Sequence, residues 1–332
     1  MSWQIAIDEP KSFELLAPSS VEQAIEWAHR HGEDAAILAG GCDLLDKLKN
    51  QWATPRYVIN LKTVAGLKKI ESNNSMIKLG ALTTLGEIER HSQLKQLAPA
   101  LVQAASRVAT PQIRNLGTIG GNLLQDSRCP YYRGAWQCYR KGGIICDAVR
   151  GINTEHALFG GDRCFTVTPS DLAPVMVALD GKAKTQSPRG ESQIDLVDFF
   201  MLPKDDIRHM HRLAKDEILT EVELPLRPNQ RSTFIKYAMR EAWDFALASI
   251  AVSITQEGST IRNARVVFGA VAPVPWRSHE VEQVIEGKSL NDSLIEAAAL
   301  ASVRAAEPLS HNEYKIGLMK KLVRAALTEL SK

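Results

Sequence analysis

Residues 117–123 read Gly-Thr-Ile-Gly-Gly-Asn-Leu, and an earlier stretch, residues 38–44, reads Leu-Ala-Gly-Gly-Cys-Asp-Leu. Each lies beside segments whose hydrophobic periodicity predicts helices or strands. Glycines at such positions let backbone N–H groups approach a phosphate closely, and the start of a helix adds a favourable potential for an anion. Neither stretch matches the G-x-G-x-x-G pattern of NAD-binding folds. Taken singly, both are also compatible with ordinary tight turns.

The segments around the two glycine stretches predict two successive α/β units. The first unit has a helix over 19–31, a strand over 35–39, a helix over 44–49 and a strand over 57–61. The second has strand pieces at residue 70 and over 76–79, then helices around 84–91 and 97–108. Thr110 opens the turn-rich stretch 110–127, which carries the second glycine loop. Two such loops, each leaving an α/β unit, favour one extended ligand shared between them.

The last part of the chain has a different pattern, with strand-like runs first and helices afterwards. A helix over 171–179 capped by Ser170 is followed by strands over 217–224, 234–239, 248–254 and 261–272 and by helices over 278–286, 293–306 and 314–331. This order is typical of a separate α+β domain. The predicted fold class is therefore α/β plus α+β, with a two-part region over 1–215 and a smaller domain over 216–332.

Composition excludes several functional classes. The 332 residues include 40 basic and 38 acidic side chains, and a net charge of +2 gives no reason to expect nucleic acid or an anionic membrane as partner. Residues 1–18 lack the basic start and apolar core of a secretory signal. No apolar run approaches the ~20 residues of a spanning helix. We expect a cytoplasmic protein, with export as part of a complex left open.

Four of the five cysteines lie in one poorly periodic segment, residues 124–165, which otherwise lacks predicted elements. They follow the pattern Cys129-x8-Cys138-x7-Cys146-x17-Cys164. An odd total without an export signal argues against disulfides. Thiolates bind [4Fe–4S] clusters four at a time, and they also bind zinc. The paired knuckles of zinc sites are absent, so the spacing favours a cluster, with zinc, unligated cysteines and a ligand role for His156 left open.

Six basic side chains accompany these cysteines. They are Arg128, Arg133, Arg140, Lys141, Arg150 and Arg163. They either offset the negative charge of a cluster or form a solvated face of the loop. A loop of this length needs something other than apolar burial to order it, and a metal centre would do so.

The order and spacing of these motifs resemble the FAD-binding medium subunits of the xanthine dehydrogenase and carbon monoxide dehydrogenase group. The loops of that family resemble A-G-G-T-D-L and G-T-I-G-G-N-L. Its later Ser-Asp-Leu step is matched at 170–172, and its pattern of a lysine followed by an arginine is matched by Lys236 and Arg240, with three residues between them. A subset, including 4-hydroxybenzoyl-CoA reductase and certain bacterial aldehyde oxidoreductases, inserts a four-cysteine segment that binds an extra [4Fe–4S] cluster. Residues 124–129 look like the start of that insertion.

The resemblance implies that four parts of the chain hold FAD. The implied residues are Leu38, Ala39, Gly40, Gly41, Cys42, Asp43, Leu44, Thr110, Gly117, Thr118, Gly120, Gly121, Asn122, Leu123, Ser170, Asp171 and Lys236. The first loop would hold the pyrophosphate, and the second would contact the phosphates and the flavin side. Asp171 would bind cofactor hydroxyls, and Lys236 would lie near the isoalloxazine as a cation that stabilises reduced flavin. Cys42 stands where the family usually has Thr, and a thiol is a weaker donor than a hydroxyl.

The same resemblance implies an oxidoreductase subunit whose work is electron transfer. Substrate chemistry would occur on a molybdenum-cofactor large subunit, and a small subunit would carry [2Fe–2S] clusters, which gives a heterotrimer with no catalytic residue on this chain. An external carrier, whether NAD, ferredoxin or oxygen, would exchange electrons with the FAD. Two alternatives are a self-sufficient flavin dehydrogenase and a zinc-stabilised assembly subunit on a flavoprotein fold.

Overall fold

The computed structural model describes residues 11–332 as three sheets flanked by helices. The prediction that residues 1–18 are not a secretory signal concerns a stretch whose first ten residues lie outside the described range. Across residues 11–332, no helix combines the length and apolar character required to cross a bilayer.

The first unit is a small parallel sheet covered by one helix. Its elements are β1 (Glu14–Leu16), α1 (Val21–His31), β2 (Ala35–Leu38), α2 (Leu44–Lys49) and β3 (Tyr57–Asn60). The strands lie in the order β1-β3-β2. Helix α1 begins where the Ser20 hydroxyl accepts the Gln23 N–H at 3.2 Å, and it ends at Gly32, whose φ is 51°. The predicted elements are confirmed here, and β1 is an additional strand.

The second unit surrounds an antiparallel five-stranded sheet. Its elements before the cysteine-rich segment are β4 (Ile70–Ser72), β5 (Met76–Gly80), α3 (Leu85–Arg90), α4 (Ser92–Leu97), α5 (Pro99–Ser106), α6 (Pro111–Leu116) and α7 (Ile119–Leu123). Its later elements are α9 (Leu172–Ala178), β6 (Lys182–Ser187), β7 (Gly190–Asp195), α10 (Leu196–Phe199) and β8 (Ile218–Pro225), after α8 (Pro130–Arg133) within that segment. The sheet order is β4-β5-β8-β6-β7.

Strand β8 corrects one expectation from the sequence. We expected this run to open the C-terminal domain that was predicted to begin at residue 216, yet it is the central strand of the second unit, paired with β5 and β6. Periodicity identified the strand, but pairing with two strands far away in the sequence decides which sheet contains it. A domain boundary after Pro225 therefore suits the sheet topology better than one before residue 216.

The C-terminal domain is an antiparallel sheet with helices on one face. Its elements are β9 (Gln230–Tyr237), β10 (Ala248–Glu257), β11 (Thr260–Gly269), β12 (Trp276–Arg277), α11 (His279–Ile285), α12 (Asp292–Ala301) and α13 (Tyr314–Ser331). Along β10, Ile250, Val252 and Ile254 pack with the core of the C-terminal helices, whereas Ala251 packs with the core that contains α5 and α9. Alternate side chains of a strand point to opposite faces, so the sheet is buried on both. This double burial joins the two domains.

The cysteine-rich segment has little regular structure, as its sequence indicated. Besides α8 it contains two single-turn 3-10 helices, Tyr139–Lys141 and Asp147–Val149. Its later part is fixed to the C-terminal domain, because the Asn153 amide donates to the Ser310 hydroxyl at 3.0 Å.

Candidate functional site

The two glycine loops pack against each other at the junction of the first two units. A Cβ added to Gly40 would collide with the carbonyl oxygen of Leu116 and lie 3.1 Å from the Gly117 Cα. A Cβ on Gly120 would lie 2.9 Å from the carbonyl oxygen of Ala81. Gly41 has a φ of 84°, a conformation that favours glycine. The glycines thus let two backbones meet where residues 38–44 and 117–123 converge.

Three N–H groups of the second loop already have partners within the protein. Gly117 donates to the Ile113 carbonyl at 2.6 Å, and Gly120 donates to the Ala81 carbonyl at 2.9 Å. Gly121 donates to the Thr118 hydroxyl at 3.0 Å. The turn-rich stretch forms helices α6 and α7, which the sequence did not predict. The hydrogen bonds of these helices and their caps, together with the bond to the Ala81 carbonyl, occupy the N–H groups of the three glycines. Any contact of the three glycines with a cofactor would therefore rely on close backbone approach.

Helix α6 begins at Thr110, whose hydroxyl accepts the Ile113 N–H at 3.4 Å. Thr110 thus acts here as a helix cap that orients the approach to the second glycine loop.

Asn122, Ser170 and Asp171, three of the residues that the resemblance assigns to the cofactor, lie close together. The Ser170 hydroxyl donates to Asn122 Oδ1 at 2.7 Å and accepts the Ala173 N–H at 3.0 Å at the start of α9. Asp171 is buried and accepts from Lys236 Nζ at 2.6 Å. Burial raises the pKa of Asp171, while the Lys236 ammonium acts in the opposite direction. One carboxyl group is thus placed beside the second glycine loop.

The Lys236 ammonium has three acceptors. Besides Asp171, it donates to the carbonyl oxygens of Arg107 at 3.1 Å and Asp244 at 2.9 Å. Because an ammonium has three N–H bonds, this arrangement leaves none for a flavin. The direct partner of Lys236 is thus Asp171, another residue that the resemblance assigns to the cofactor.

A cavity of about 280 Å³ connects the predicted FAD residues with the cysteine-rich segment. Ser170, Asp171 and Phe245 line one part of it, and Cys129 and His156 line another. Neighbouring elements from both domains therefore enclose a single space.

The four clustered cysteines converge although they are far apart in sequence. Burial raises the pKa of Cys129 to about 11 and that of Cys164 to about 12, and both thiols also feel the charges of Cys138 and Cys146. None of these cysteines forms a disulfide. In residues 11–332, no group of three or more His, Cys, Asp or Glu side chains is arranged to hold a metal ion.

Backbone N–H groups point at three of these sulfur atoms. Cys129 receives hydrogen bonds from the backbone of Tyr131 and Tyr132, and Cys164 receives one from Thr166. Those directed at Cys146 come from Ala148, Val149 and Phe165. Such donors stabilise a thiolate over a thiol.

His156 lies beside one of the cysteines. Its Nε2 is 3.3 Å from Cys129 Sγ. Burial and the Lys315 ammonium lower the pKa of His156 to about 4, so the ring is neutral near pH 7.

Ion pairs fasten the cysteine-rich segment to the first glycine loop, which the sequence did not indicate. Arg133 binds Asp43 at 2.8 Å and Asp46 at 2.7 Å, and Arg128 binds Asp43 at 2.9 Å. The Asp126 N–H donates to the Asp43 carboxylate at 3.0 Å. Asp43, expected to contact the cofactor, is therefore also the link between the two loops.

A second carboxylate completes this network. Asp126 accepts from Lys47 at 2.9 Å, Arg140 at 2.7 Å and the Tyr132 hydroxyl at 2.8 Å. Although burial acts to raise its pKa, the charges of Lys47 and Arg140 hold the pKa of Asp126 well below its usual range. Arg128, Arg133 and Arg140 thus take part in this network, whereas Lys141, Arg150 and Arg163 are exposed and lie outside it. The one signal in the sequence for this network is that acidic residues, Asp43, Asp46 and Asp126, occur in a chain that also has an arginine-rich segment.

Two family models match the chain in succession. The model described as the FAD binding domain in molybdopterin dehydrogenase matches residues 11–227. The model described as the CO dehydrogenase flavoprotein C-terminal domain matches residues 233–330. Strand β8 falls within the first match, which agrees with its place in the sheet of the second unit.

Proteins of similar length are related to the whole chain. The aldehyde oxidoreductase FAD-binding subunit PaoB of Escherichia coli K12 is 32% identical over 302 residues, which cover 89% of this chain and 91% of that protein. The nicotine 6-hydroxylase medium subunit of Paenarthrobacter nicotinovorans is 29% identical and covers 94% of this chain and 95% of its own. A solved carbon monoxide dehydrogenase from Hydrogenophaga pseudoflava superposes with a TM-score of 0.76 at 25% identity, covering 96% of this chain and 97% of that one.

Proposed function

The chain belongs to the family of FAD-binding medium subunits of molybdenum hydroxylases, and from that premise we propose that it is an electron-transfer subunit carrying FAD and a [4Fe–4S] cluster. It would pass electrons between the clusters of partner subunits and an external carrier. The observation that carries this proposal is the shared cavity, which has Cys129 and His156 in one wall and Ser170 and Asp171 in another. A cluster held by the cysteines would lie next to a flavin held in that cavity.

The residues around the cavity suit FAD. Gly40 and Gly41 allow close approach of a pyrophosphate, and their loop leads into α2. The carboxylate of Asp171 can accept hydrogen bonds from cofactor hydroxyls, and Lys236 favours its ionised form. Bound FAD would exchange electrons singly with clusters and in pairs with soluble carriers. The role that we propose for Lys236 is to hold Asp171, since its three donors are occupied.

The cysteines suit a cluster better than a single zinc ion. Each thiolate of a [4Fe–4S] cluster binds its own iron, so the sulfur atoms stand farther apart than four ligands of one ion. The four cysteines are close enough to interact electrostatically, and their spacing in the sequence lacks the paired knuckles of zinc sites. Backbone N–H groups directed at the sulfurs are a recognised feature that tunes the potentials of such clusters.

The partners and domain limits follow from the same proposal. The large partner would hold the molybdenum cofactor and the substrate, and the small partner would hold [2Fe–2S] clusters. The FAD-binding region would extend to about Pro225, and the following residues would close over the flavin with Phe245. The external electron carrier would be NAD, a ferredoxin or oxygen.

The first test is anaerobic purification of the chain, followed by an absorbance spectrum and assays for FAD, iron, sulfide and zinc. We expect about one FAD, four irons and four sulfides per chain, the content of one cubane cluster. FAD with zinc and no sulfide would refute the cluster and make the segment structural. A folded chain without flavin or iron would overturn the proposal in favour of an assembly subunit. Substrate turnover by the chain alone would instead indicate a self-sufficient dehydrogenase.

A further inference from the structure

Side chains of the C-terminal domain hold the backbone of His156 through its carbonyl oxygen. Its carbonyl oxygen accepts from Asn312 Nδ2 at 3.0 Å and from Lys315 Nζ at 3.2 Å. Lys315 is fully buried and also donates to the carbonyl oxygens of Glu155 at 3.0 Å and Ala270 at 2.9 Å. Three of these hydrogen bonds hold one short stretch of the cysteine-rich segment against the start of α13, and the fourth joins Lys315 to the residue that follows β11.

The ring of His156 is buried and has one partner. His156 is only 4% exposed, and its Nε2 lies 3.3 Å from Cys129 Sγ. Nδ1 is buried without a hydrogen-bond partner in the described residues. A metal-bound thiolate carries no hydrogen and can only accept, so a bond between the two atoms requires that Nε2 carries the proton. The geometry therefore selects the Nε2–H tautomer whenever Cys129 is a ligand.

An imidazole N–H directed at a ligand sulfur has a known consequence for a cluster. Hydrogen bonds to the sulfurs are among the features that set the reduction potential, because they stabilise the added negative charge of the reduced state. Cys129 already receives backbone N–H groups from Tyr131 and Tyr132. The His156 N–H would be the one side-chain donor among these three, and its ring also lines the cavity shared with Asp171.

We propose that His156 is a positioning residue that donates its Nε2–H to Cys129 Sγ and so raises the reduction potential of the cluster on the side facing the flavin cavity. This inference rests on the proposed function. His156 is not a ligand in this arrangement, because a nitrogen that donates to Cys129 has no lone pair for iron and four cysteines already complete the set. It takes no part in the transfer of the electron itself.

The test compares His156→Leu, which removes the donor at similar volume, with His156→Gln, which retains an amide donor. The readouts are FAD, iron and sulfide content and the midpoint potential of the cluster, measured by redox titration followed by electron paramagnetic resonance. We expect His156→Leu to keep its iron and show a lower midpoint, and His156→Gln to recover most of that shift. A full cluster with an unchanged midpoint in His156→Leu would overturn the inference and leave the proposed function intact.

The matched control is His211→Leu. His211 is the other histidine whose Nδ1 is buried without a partner in the part of the chain that the structure describes, and its ring stacks on Phe199 at 5.8 Å rather than on a cysteine. Its replacement should leave the midpoint unchanged. An equal shift in this variant would mean that loss of a buried ring, not of the N–H···S bond, moves the potential.

A second measurement covers the case in which His156→Leu loses its cluster. In the unaltered chain labelled with ¹⁵N-histidine, pulsed electron paramagnetic resonance of the reduced cluster should detect one weakly coupled nitrogen that disappears in His156→Gln. A strong coupling would identify His156 as an iron ligand, and no coupling would place it away from the cluster; either result overturns the inference. Absence of iron from the unaltered chain would instead refute the proposed cluster, and this inference with it.

Discussion

Single residues decide whether the two glycine loops can meet. At Gly40 the space normally filled by a side chain is occupied by the carbonyl of Leu116, which is backbone and cannot rotate away. Because overpacking of a close contact typically costs about 1–3 kcal/mol, adding a single methyl group at Gly40 should destabilise the folded chain. The glycine pattern in the sequence indicated a close approach to a phosphate, whereas the structure shows that part of the requirement is approach to another backbone.

Replacement of Gly40 by Ala should therefore lower the free energy of unfolding by about 1–3 kcal/mol and reduce FAD retention severalfold. The matched control is Gly317→Ala at an exposed position of α13, where an added Cβ meets nothing within 4 Å. That change should raise stability by about 0.5–1 kcal/mol, since alanine is the better helix former. Urea unfolding and flavin assays measure both. Equal behaviour of the two variants would contradict the packing role of Gly40.

At the scale of elements, helix α2 and the cysteine-rich segment form one charged unit. Asp43 and Asp46 lie at the start of α2, and Arg133 is the last residue of α8. The side chain of Arg133 is only 9% exposed and also stacks over Trp52 at 5.1 Å. Ion pairs of Arg133 thus fix the candidate pyrophosphate loop and the candidate cluster loop to each other.

We expect Arg133→Met to lower the FAD and iron content together and to reduce the free energy of unfolding by about 1–3 kcal/mol, the cost of removing charged hydrogen bonds from a partly buried site. Arg150→Met is the control, because Arg150 is exposed and its loss should change stability by less than about 0.5 kcal/mol. Cofactor assays and urea unfolding measure both. Loss of iron with full FAD retention in Arg133→Met would show that the two loops are independent.

For the whole molecule, Lys315 joins three parts that are distant in sequence. From α13 its ammonium reaches the carbonyls of Glu155 and His156 in the cysteine-rich segment and of Ala270 after β11. Burial lowers the pKa of Lys315 to about 7, from an ordinary value of 10.5. The folded chain therefore holds fewer protons than the unfolded chain between these two pH values.

This difference predicts the sign of a pH effect. Stability rises with pH wherever the unfolded state binds more protons, so Lys315 should make the chain more stable as the pH increases from about 7 towards 10. Lys315→Met should lack that rise, which is seen as the difference between the urea-unfolding free energies of the two proteins at several pH values. Parallel pH curves would contradict the lowered pKa, and the comparison cancels the contributions of the cysteines.

The sequence by itself determined most of the elements and the nature of the cofactor region. Helix 314–331 and helix 44–49 are found at their predicted bounds, because amphipathic spacing is a local property of the chain. The two glycine loops and the Ser-Asp-Leu step are likewise local patterns, and they were sufficient to indicate the FAD-binding family that the comparisons establish. The four cysteines also marked their segment as different from the rest.

Only the tertiary structure decided how these parts are joined. Strand β8 lies in the second unit because its partners β5 and β6 are far away in sequence. Lys236 turns to Asp171 and Arg133 to Asp43 because folding brings opposite charges together that no local period relates. The neighbourhood of His156 and Cys129, 27 residues apart, arises in the same way. Local spacing encodes elements, whereas contacts between side chains depend on the fold, because most buried polar groups are paired and their partners come from distant parts of the sequence.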